Sequence, residues 1–248
     1  MMPSKHIAYY NLREALARSA ASAQQPCPLC DLATKAVASY LDSLLYESVN
    51  DPGLRQDIRE ARGLCNEHAW QLQTLSGGAL SIALIYRDVL ETVLQLIRQG
   101  KYRRSQPFLL QRLPGALGGE QPLAGTADLV AVLVPQRACP ACRHQHAAED
   151  VYLSTLIEAL DDEDMCSAFR ASSGLCLPHF RRAVQLAGSE AAFNRLMELE
   201  ITCLERLDAD LNEFIRKQDY RFAHEPMGQE GNAWRRAIGQ MSAQKGIR

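Results

Sequence analysis

Cys27-Pro28-Leu29-Cys30 and Gly63-Leu64-Cys65-Asn66-Glu67-His68 form the first of two matching sets of cysteine and histidine residues. The second set is Cys139-Pro140-Ala141-Cys142 followed by Gly174-Leu175-Cys176-Leu177-Pro178-His179. The interval between the CPxC motif and the cysteine of the GLCxxH motif differs by a single position between the two sets. Three thiolates and one imidazole are a ligand set for a four-coordinate metal ion. The expected metal ligands are Cys27, Cys30, Cys65, His68, Cys139, Cys142, Cys176 and His179.

The spacing leaves two ways of pairing these motifs. In a local arrangement, each CPxC motif shares an ion with the GLCxxH motif that follows it. In a crossed arrangement, the motifs exchange partners. We expect local pairing, because repeats usually close within themselves and a short loop costs less entropy than a long one.

The two sets belong to a longer internal similarity. The offset from Cys27 to Cys139 equals the offset from Tyr40 to Tyr152, and the cysteines of the two GLCxxH motifs differ from it by only one position. A nearly constant offset that preserves ligands, an aromatic residue and helix breaks predicts an internal duplication.

Apolar residues recur at spacings of three and four through most of the chain, which is typical of amphipathic helices. The sequence therefore predicts an all-α protein of two pseudo-repeated helical halves, each held by a Cys3His metal site. Five glycines and four prolines interrupt this pattern between residues 100 and 137. The expected organisation is a first repeat at 1–100, a linker at 101–138, a second repeat at 139–220 and a tail with one helix at 221–248.

Zinc is the expected metal, with two ions per chain, because Cys3His sets are typical of structural zinc sites. Four protein ligands leave no position for a catalytic water. An iron–sulfur cluster is the alternative occupant. We predict no catalytic residue and no other cofactor site, since the sequence contains no catalytic motif, and the prediction leans against an enzyme.

The bulk composition narrows the classes of partner. A net charge of -2 and a pI near 6.3 do not favour nucleic-acid or membrane binding, although residues 98–112 form a local basic stretch. No segment reads as a signal peptide or a membrane span, so we expect a cytoplasmic protein. We predict a binding or scaffold protein whose partner is another protein. The sequence does not indicate an oligomeric state. The alternatives are an iron–sulfur electron-transfer or redox-sensor protein and a nucleic-acid-binding regulator.

Four other features receive ordinary structural interpretations. His144 and His146 are expected to be exposed on a helix, and Cys166 and Cys203 to be buried thiols. The acidic residues 161–164 suit a helix start. The apolar residues 129–134 are expected to form a short extended segment.

The motifs CPLC, GLCNEH, CPAC and GLCLPH, the helix ALSIALIYR at residues 79–87 and the segment AWRRA at 233–237 together resemble a known family. It is an uncharacterised prokaryotic family, known only as a domain of unknown function, with duplicated CPxC and GLCxxH motifs. The resemblance spans nearly the whole chain. It implies a duplicated helical metalloprotein and no particular activity.

Overall fold

The computed structural model describes residues 6–100, 127–222 and 224–247. Eleven α-helices and two short 3-10 turns, with no β-strand, make up the regular structure of these ranges, which confirms the all-α prediction. The helices are α1 Ile7–Ala21, α2 Pro28–Tyr46, α3 Pro52–Glu60, α4 Asn66–Gln73, α5 Ala79–Gln99, α6 Ala127–Leu133, α7 Pro140–Glu158, α8 Glu163–Ala171, α9 Leu177–Leu186, α10 Glu190–Lys217 and α11 Ala233–Ser242.

Local sequence signals explain where several helices begin. The side chain of Asp51 accepts a hydrogen bond from the backbone N–H of Leu54 at the start of α3, and Ser189 caps α10 through Ala192 in the same way. Asp162 caps α8 by accepting from the N–H of Asp164, so the acidic segment at 161–164 does start a helix. Each of these caps satisfies a backbone donor that the first helical turn leaves without a partner.

The apolar segment at residues 129–134 was predicted wrongly. It lies largely within α6, Ala127–Leu133, rather than in an extended conformation. An apolar stretch this short has no distinguishing period, so periodicity alone cannot separate a strand from a helix.

The chain divides into two compact units, and the division cuts across the expected repeats. Unit 1 comprises Met1–Ala38 and His144–Arg248, and unit 2 comprises Ser39–Arg143. Both boundaries fall inside long helices, α2 and α7. Of the predicted linker at 101–138, residues 101–126 lie outside the described residues.

Unit 1 has one hydrophobic core that contains residues from both ends of the sequence. Leu12 and Leu16 of α1 and Leu29 of α2 are fully buried in it. They share this core with Phe169 of α8 and Leu196 of α10. Helix α1 and the start of α2 therefore pack with the second half of the sequence.

The C-terminal helix α11 belongs to the same unit. The Arg236 guanidinium is buried and donates to Asp210 Oδ2 on α10 at 2.7 Å and to Gln25 Oε1 at 2.8 Å. A buried charge is tolerated only when it is paired and hydrogen-bonded, as this one is. The predicted helix of the tail thus exists and joins α10 to the segment before Cys27.

Unit 2 is organised around α5, which packs against α3, α4 and α6. Asp88 of α5 accepts hydrogen bonds from Arg55 and Arg59 of α3. The hydroxyl of Ser81 donates to the carbonyl of Leu45 at 2.8 Å and so joins α5 to α2. Within the described ranges, no helix combines the length and the apolar character that a bilayer crossing requires.

Replacing Leu12 by alanine tests the shared core of unit 1. Because Leu12 is fully buried, Leu12→Ala should lower the free energy of unfolding by about 2–5 kcal/mol. Ile7→Ala on the exposed side of the same helix should change it by less than about 1 kcal/mol. Urea denaturation of the metal-loaded chain measures both, and equal effects of the two changes would contradict the packing of α1.

Candidate metal centres

The eight predicted ligands form two clusters in which the motifs exchange partners. Site A consists of Cys27, Cys30, Cys176 and His179, and site B consists of Cys65, His68, Cys139 and Cys142. Within each cluster, the ligand atoms all lie within 4.8 Å of one another, close enough to share one metal ion. Local pairing was therefore the wrong expectation: each CPxC motif lies with the GLCxxH motif of the other half.

The physical reason is that loop entropy is a weak constraint. Cys30 and Cys176 are 146 residues apart, roughly four times the separation of Cys30 and Cys65. Two doublings of a loop cost only about 1.2 kcal/mol. Burying a single leucine contributes about 1.5–3 kcal/mol, and the core that joins α1 and α2 to α8 and α10 buries many such side chains. The packing of unit 1 therefore decides which motifs meet.

Site A lies inside unit 1, and all four of its residues are buried. The Nδ1 atom of His179 is 3.2 Å from Cys176 Sγ and 3.6 Å from the sulfur atoms of Cys27 and Cys30. Cys30 Sγ and Cys176 Sγ are 3.6 Å apart. The imidazole thus presents Nδ1 to the three sulfurs and leaves Nε2 for another partner.

Site B lies inside unit 2 and has nearly the same internal geometry. His68 Nδ1 is 3.3 Å from Cys65 Sγ, 3.4 Å from Cys142 Sγ and 3.7 Å from Cys139 Sγ. His68 and Cys139 are buried, whereas Cys65 and Cys142 are partly exposed. Site B is therefore the more accessible of the two clusters.

Each cluster forms where two helices begin. Cys30 and Cys142 lie in the first turns of α2 and α7, whose first residues are prolines. Cys65 and Cys176 are the N-cap residues of α4 and α9, and the histidine three positions later lies on the same helix face. Helix N-termini favour negative charge, so they stabilise the thiolate forms that bind metal.

The glycine of each GLCxxH motif turns the chain toward its cysteine. Gly63 has φ of +99° and Gly174 has φ of +74°, a region that residues with a side chain rarely occupy. A Cβ atom on Gly174 would also lie 2.9 Å from the Cβ of Cys203, so this turn has no room for a side chain.

The crowded sulfur atoms of site A favour a bound cation. Hydrogen bonds from Cys176 and Cys27, together with burial, raise the pKa of the Cys30 thiol far above its ordinary value. Burial by itself would lower the pKa of His179. Hydrogen bonds to Cys176, Cys27 and Glu149 outweigh this effect and raise the pKa to about 12. A metal ion would instead bind the deprotonated thiolates and the neutral imidazole, with release of protons.

Glu149 completes the surroundings of His179, and no sequence motif singles it out. This carboxylate is only 2% exposed, and its Oε1 lies 3.4 Å from His179 Nε2. Gln145 Nε2 and Arg182 Nη1 each donate to it at 2.8 Å. Burial alone would raise the pKa of Glu149, but hydrogen bonds from His179, Gln145 and His146 outweigh burial and hold it below the ordinary value. An ionised carboxylate on the outer nitrogen orients a metal-binding histidine and makes its inner nitrogen a stronger ligand.

Glu200 and Gln240 support site A from a second direction. Glu200 Oε2 on α10 accepts from the backbone N–H of Leu175 at 2.9 Å, and Gln240 of α11 donates to the carbonyl of Leu175 and to Glu200 Oε1. Burial raises the pKa of Glu200 to about 8. These side chains fix the turn that carries Cys176. The only sequence signal for them was the presence of acids and amides on the apolar faces of helices.

The remaining sequence interpretations have mixed outcomes. His144 and His146 are exposed and join neither cluster, and Cys166 and Cys203 are buried thiols, all as expected. Of the basic stretch at 98–112, Arg98 is exposed near the end of α5. Residues 101–112 lie outside the described part of the chain.

Comparison with known proteins gives a family without an assigned activity. A family model described as a family of unknown function, DUF6062, matches residues 6–246. The chain belongs to this family. It is 27% identical over 214 residues to an uncharacterized 23.9 kDa protein in the xynA 3′ region of Caldicellulosiruptor sp. (strain Rt8B.4), a match that covers 86% of this chain and 92% of that protein. No solved structure matches the chain significantly.

Replacing Glu149 by glutamine tests its role at His179. The variant loses the negative charge beside the outer nitrogen of His179. The affinity of site A for a metal ion should therefore fall roughly 10–100-fold, while that of site B stays unchanged. Competition with a chromophoric chelator measures the two affinities. Asp150→Asn is the matched control, since Asp150 pairs with the same Arg182 and is half exposed. Equal chelator resistance of Glu149→Gln and the parent chain would contradict the role.

Proposed function

We propose that this protein is a non-enzymatic helical binding or scaffold protein that holds two structural zinc ions per chain. The observation that carries the proposal is that each cluster contains four protein ligands around one point. Structural zinc sites are closed by four protein ligands, whereas catalytic sites keep a position for water. The chain would therefore use its metals to hold segments together.

The distances within the clusters suit zinc. Sulfur atoms bound at about 2.3 Å in a tetrahedron are about 3.8 Å apart, and a sulfur and a nitrogen are about 3.5 Å apart. The S···S distances are 3.6 Å between Cys30 and Cys176 and 3.6 Å between Cys65 and Cys142. The S···Nδ1 distances run from 3.2 to 3.7 Å. Only small adjustments are needed for tetrahedral binding of one ion.

The same distances argue against an iron–sulfur cluster. Such a cluster places several iron and sulfide atoms between its ligands, so the ligands must stand well apart. In both sites, the ligand atoms lie within 4.8 Å of one another, which leaves room for a single ion. An electron-transfer or sensor role based on an iron–sulfur cluster would require the ligands to separate.

Zinc at these positions would stabilise the chain strongly. Structural zinc contributes on the order of 10 kcal/mol of apparent binding energy to folding. Here each ion would join the beginnings of two helices, α2 with α9 and α4 with α7, and so would leave the other helix surfaces free for a partner. The proposal includes a cytoplasmic location, where the eight free cysteines would stay reduced and available to metal.

Elemental analysis of anaerobically purified protein, with an absorption spectrum of the same sample, tests the proposal. We expect two zinc ions per chain and no visible absorption band. Removing zinc with a strong chelator should lower the melting temperature sharply, because both sites join distant segments. Iron with a broad band near 400 nm would overturn the zinc assignment, and a metal-free chain of unchanged stability would overturn the structural role.

A further inference from the structure

The solvent side of α5 in unit 2 carries a regular apolar stripe. Its large members are Leu80, Leu90, Leu94 and Ile97, which are 73%, 59%, 41% and 50% exposed. The opposite side of the same helix carries the buried Ile85 and Val89. α5 is therefore apolar on both faces, and only the inner face is covered by the described residues.

The spacing of this stripe is that of a coiled-coil seam. The exposed positions alternate by three and four residues and are, in order, Leu80, Ala83, Arg87, Leu90, Leu94 and Ile97. This is a heptad pattern, in which one helix packs its seam into that of another. At 1.5 Å per residue, the seam is about 26 Å long. Five of the six positions are apolar and Arg87 is the charged exception, and monomeric proteins rarely expose large contiguous apolar patches.

We propose that this seam, comprising the six positions from Leu80 to Ile97, binds the same seam of a second copy of the chain in antiparallel orientation. In the register centred between Arg87 and Leu90, Leu80 lies opposite Ile97 of the second copy. Ala83 then lies opposite Leu94, so a small residue faces a large one at this layer. At the two central layers Arg87 of each copy lies opposite Leu90 of the other, where the aliphatic part of the arginine would cover the leucine and the guanidinium would reach the edge of the seam.

The charges beside the seam favour this orientation and this partner. Glu91 is exposed one turn after Arg87. In the antiparallel register, Glu91 of each copy lies one residue, about 1.5 Å along the axis, from the position opposite Arg87 of the other copy, so the two charges can pair beside the seam. A parallel pair would instead place the two Arg87 side chains opposite each other, where like charges repel. The surface thus complements itself only in the antiparallel arrangement.

The neighbouring helix α6 carries further exposed apolar residues. α6 packs against α5 within unit 2, and Val130, Val132 and Val134 are exposed on it or directly after it. These residues would enlarge the interface beyond two isolated helices, which matters because a stable interface buries about 800 Å² on each side. The inference deepens the proposed binding role by naming the partner, and it does not depend on which metal is bound.

Sedimentation equilibrium of the full metal-loaded chain tests the proposal. We expect a dimer of about twice the chain mass of 27.6 kDa. Leu80→Glu combined with Leu94→Glu should weaken the dimer roughly 100-fold or more, because these positions face the apolar Ile97 and Ala83 of the other copy and the change buries unpaired charge. The matched control is Ile201→Glu with Ile215→Glu. These two isoleucines are also exposed, but they lie on α10 and outside the seam. This control should leave the dimer unchanged.

A charge exchange tests the register. Arg87→Glu and Glu91→Arg should each weaken the dimer roughly tenfold, and the double change should restore it, because each Arg87 can pair with Glu91 of the other copy. A monomeric parent chain, or a dimer that resists the leucine changes, would overturn the proposal, and a monomer would point to a different molecule as the occupant of the seam. Two bound metal ions in the monomeric leucine variant would show that the zinc proposal stands separately.

Discussion

The meeting of Cys30 and Cys176, which are 146 positions apart, in one cluster is the constraint on which the rest of unit 1 depends. Site A joins the segment at Cys27 and Cys30 to the segment at Cys176 and His179, so α1 and the start of α2 are held against α8 and α10. The apolar core supplies the driving force, and the proposed ion would fix the relative positions of the two segments. Crowded thiols favour a bound cation, so the ion would add to the stability that the core supplies.

The members of the two clusters could be predicted from the sequence, but their pairing could not. Cysteines three apart at a helix start and a histidine three after a cysteine are local patterns, and local geometry brings their side chains together. Which CPxC motif meets which GLCxxH motif depends on the packing of Leu12, Leu29 and Phe169, which no local pattern encodes. The loop-entropy argument failed because its magnitude, about 1.2 kcal/mol, is small beside the burial of that core.

No sequence motif predicted the residues that surround the two clusters. Glu149 follows Cys139 on α7 and reads as an ordinary helix residue, yet its buried carboxylate is directed at His179 in the other cluster. The offset that relates Cys139 to Cys27 relates Glu149 to Val37, so the corresponding place in the first half has no carboxylate. The duplication stays a prediction: α2 and α7 both contain 19 residues, but the carboxylate beside His179 has no counterpart at the matching position of the first half.

Counting the ions that paired variants retain tests the exchanged arrangement most directly. Cys30→Ser with Cys176→Ser removes two ligands from one site, so native mass spectrometry after a chelator challenge should find one ion per chain. Cys30→Ser with Cys65→Ser damages both sites, and no ion should survive the same challenge. The reverse result, with one ion in the second variant and none in the first, would show local pairing and contradict the account.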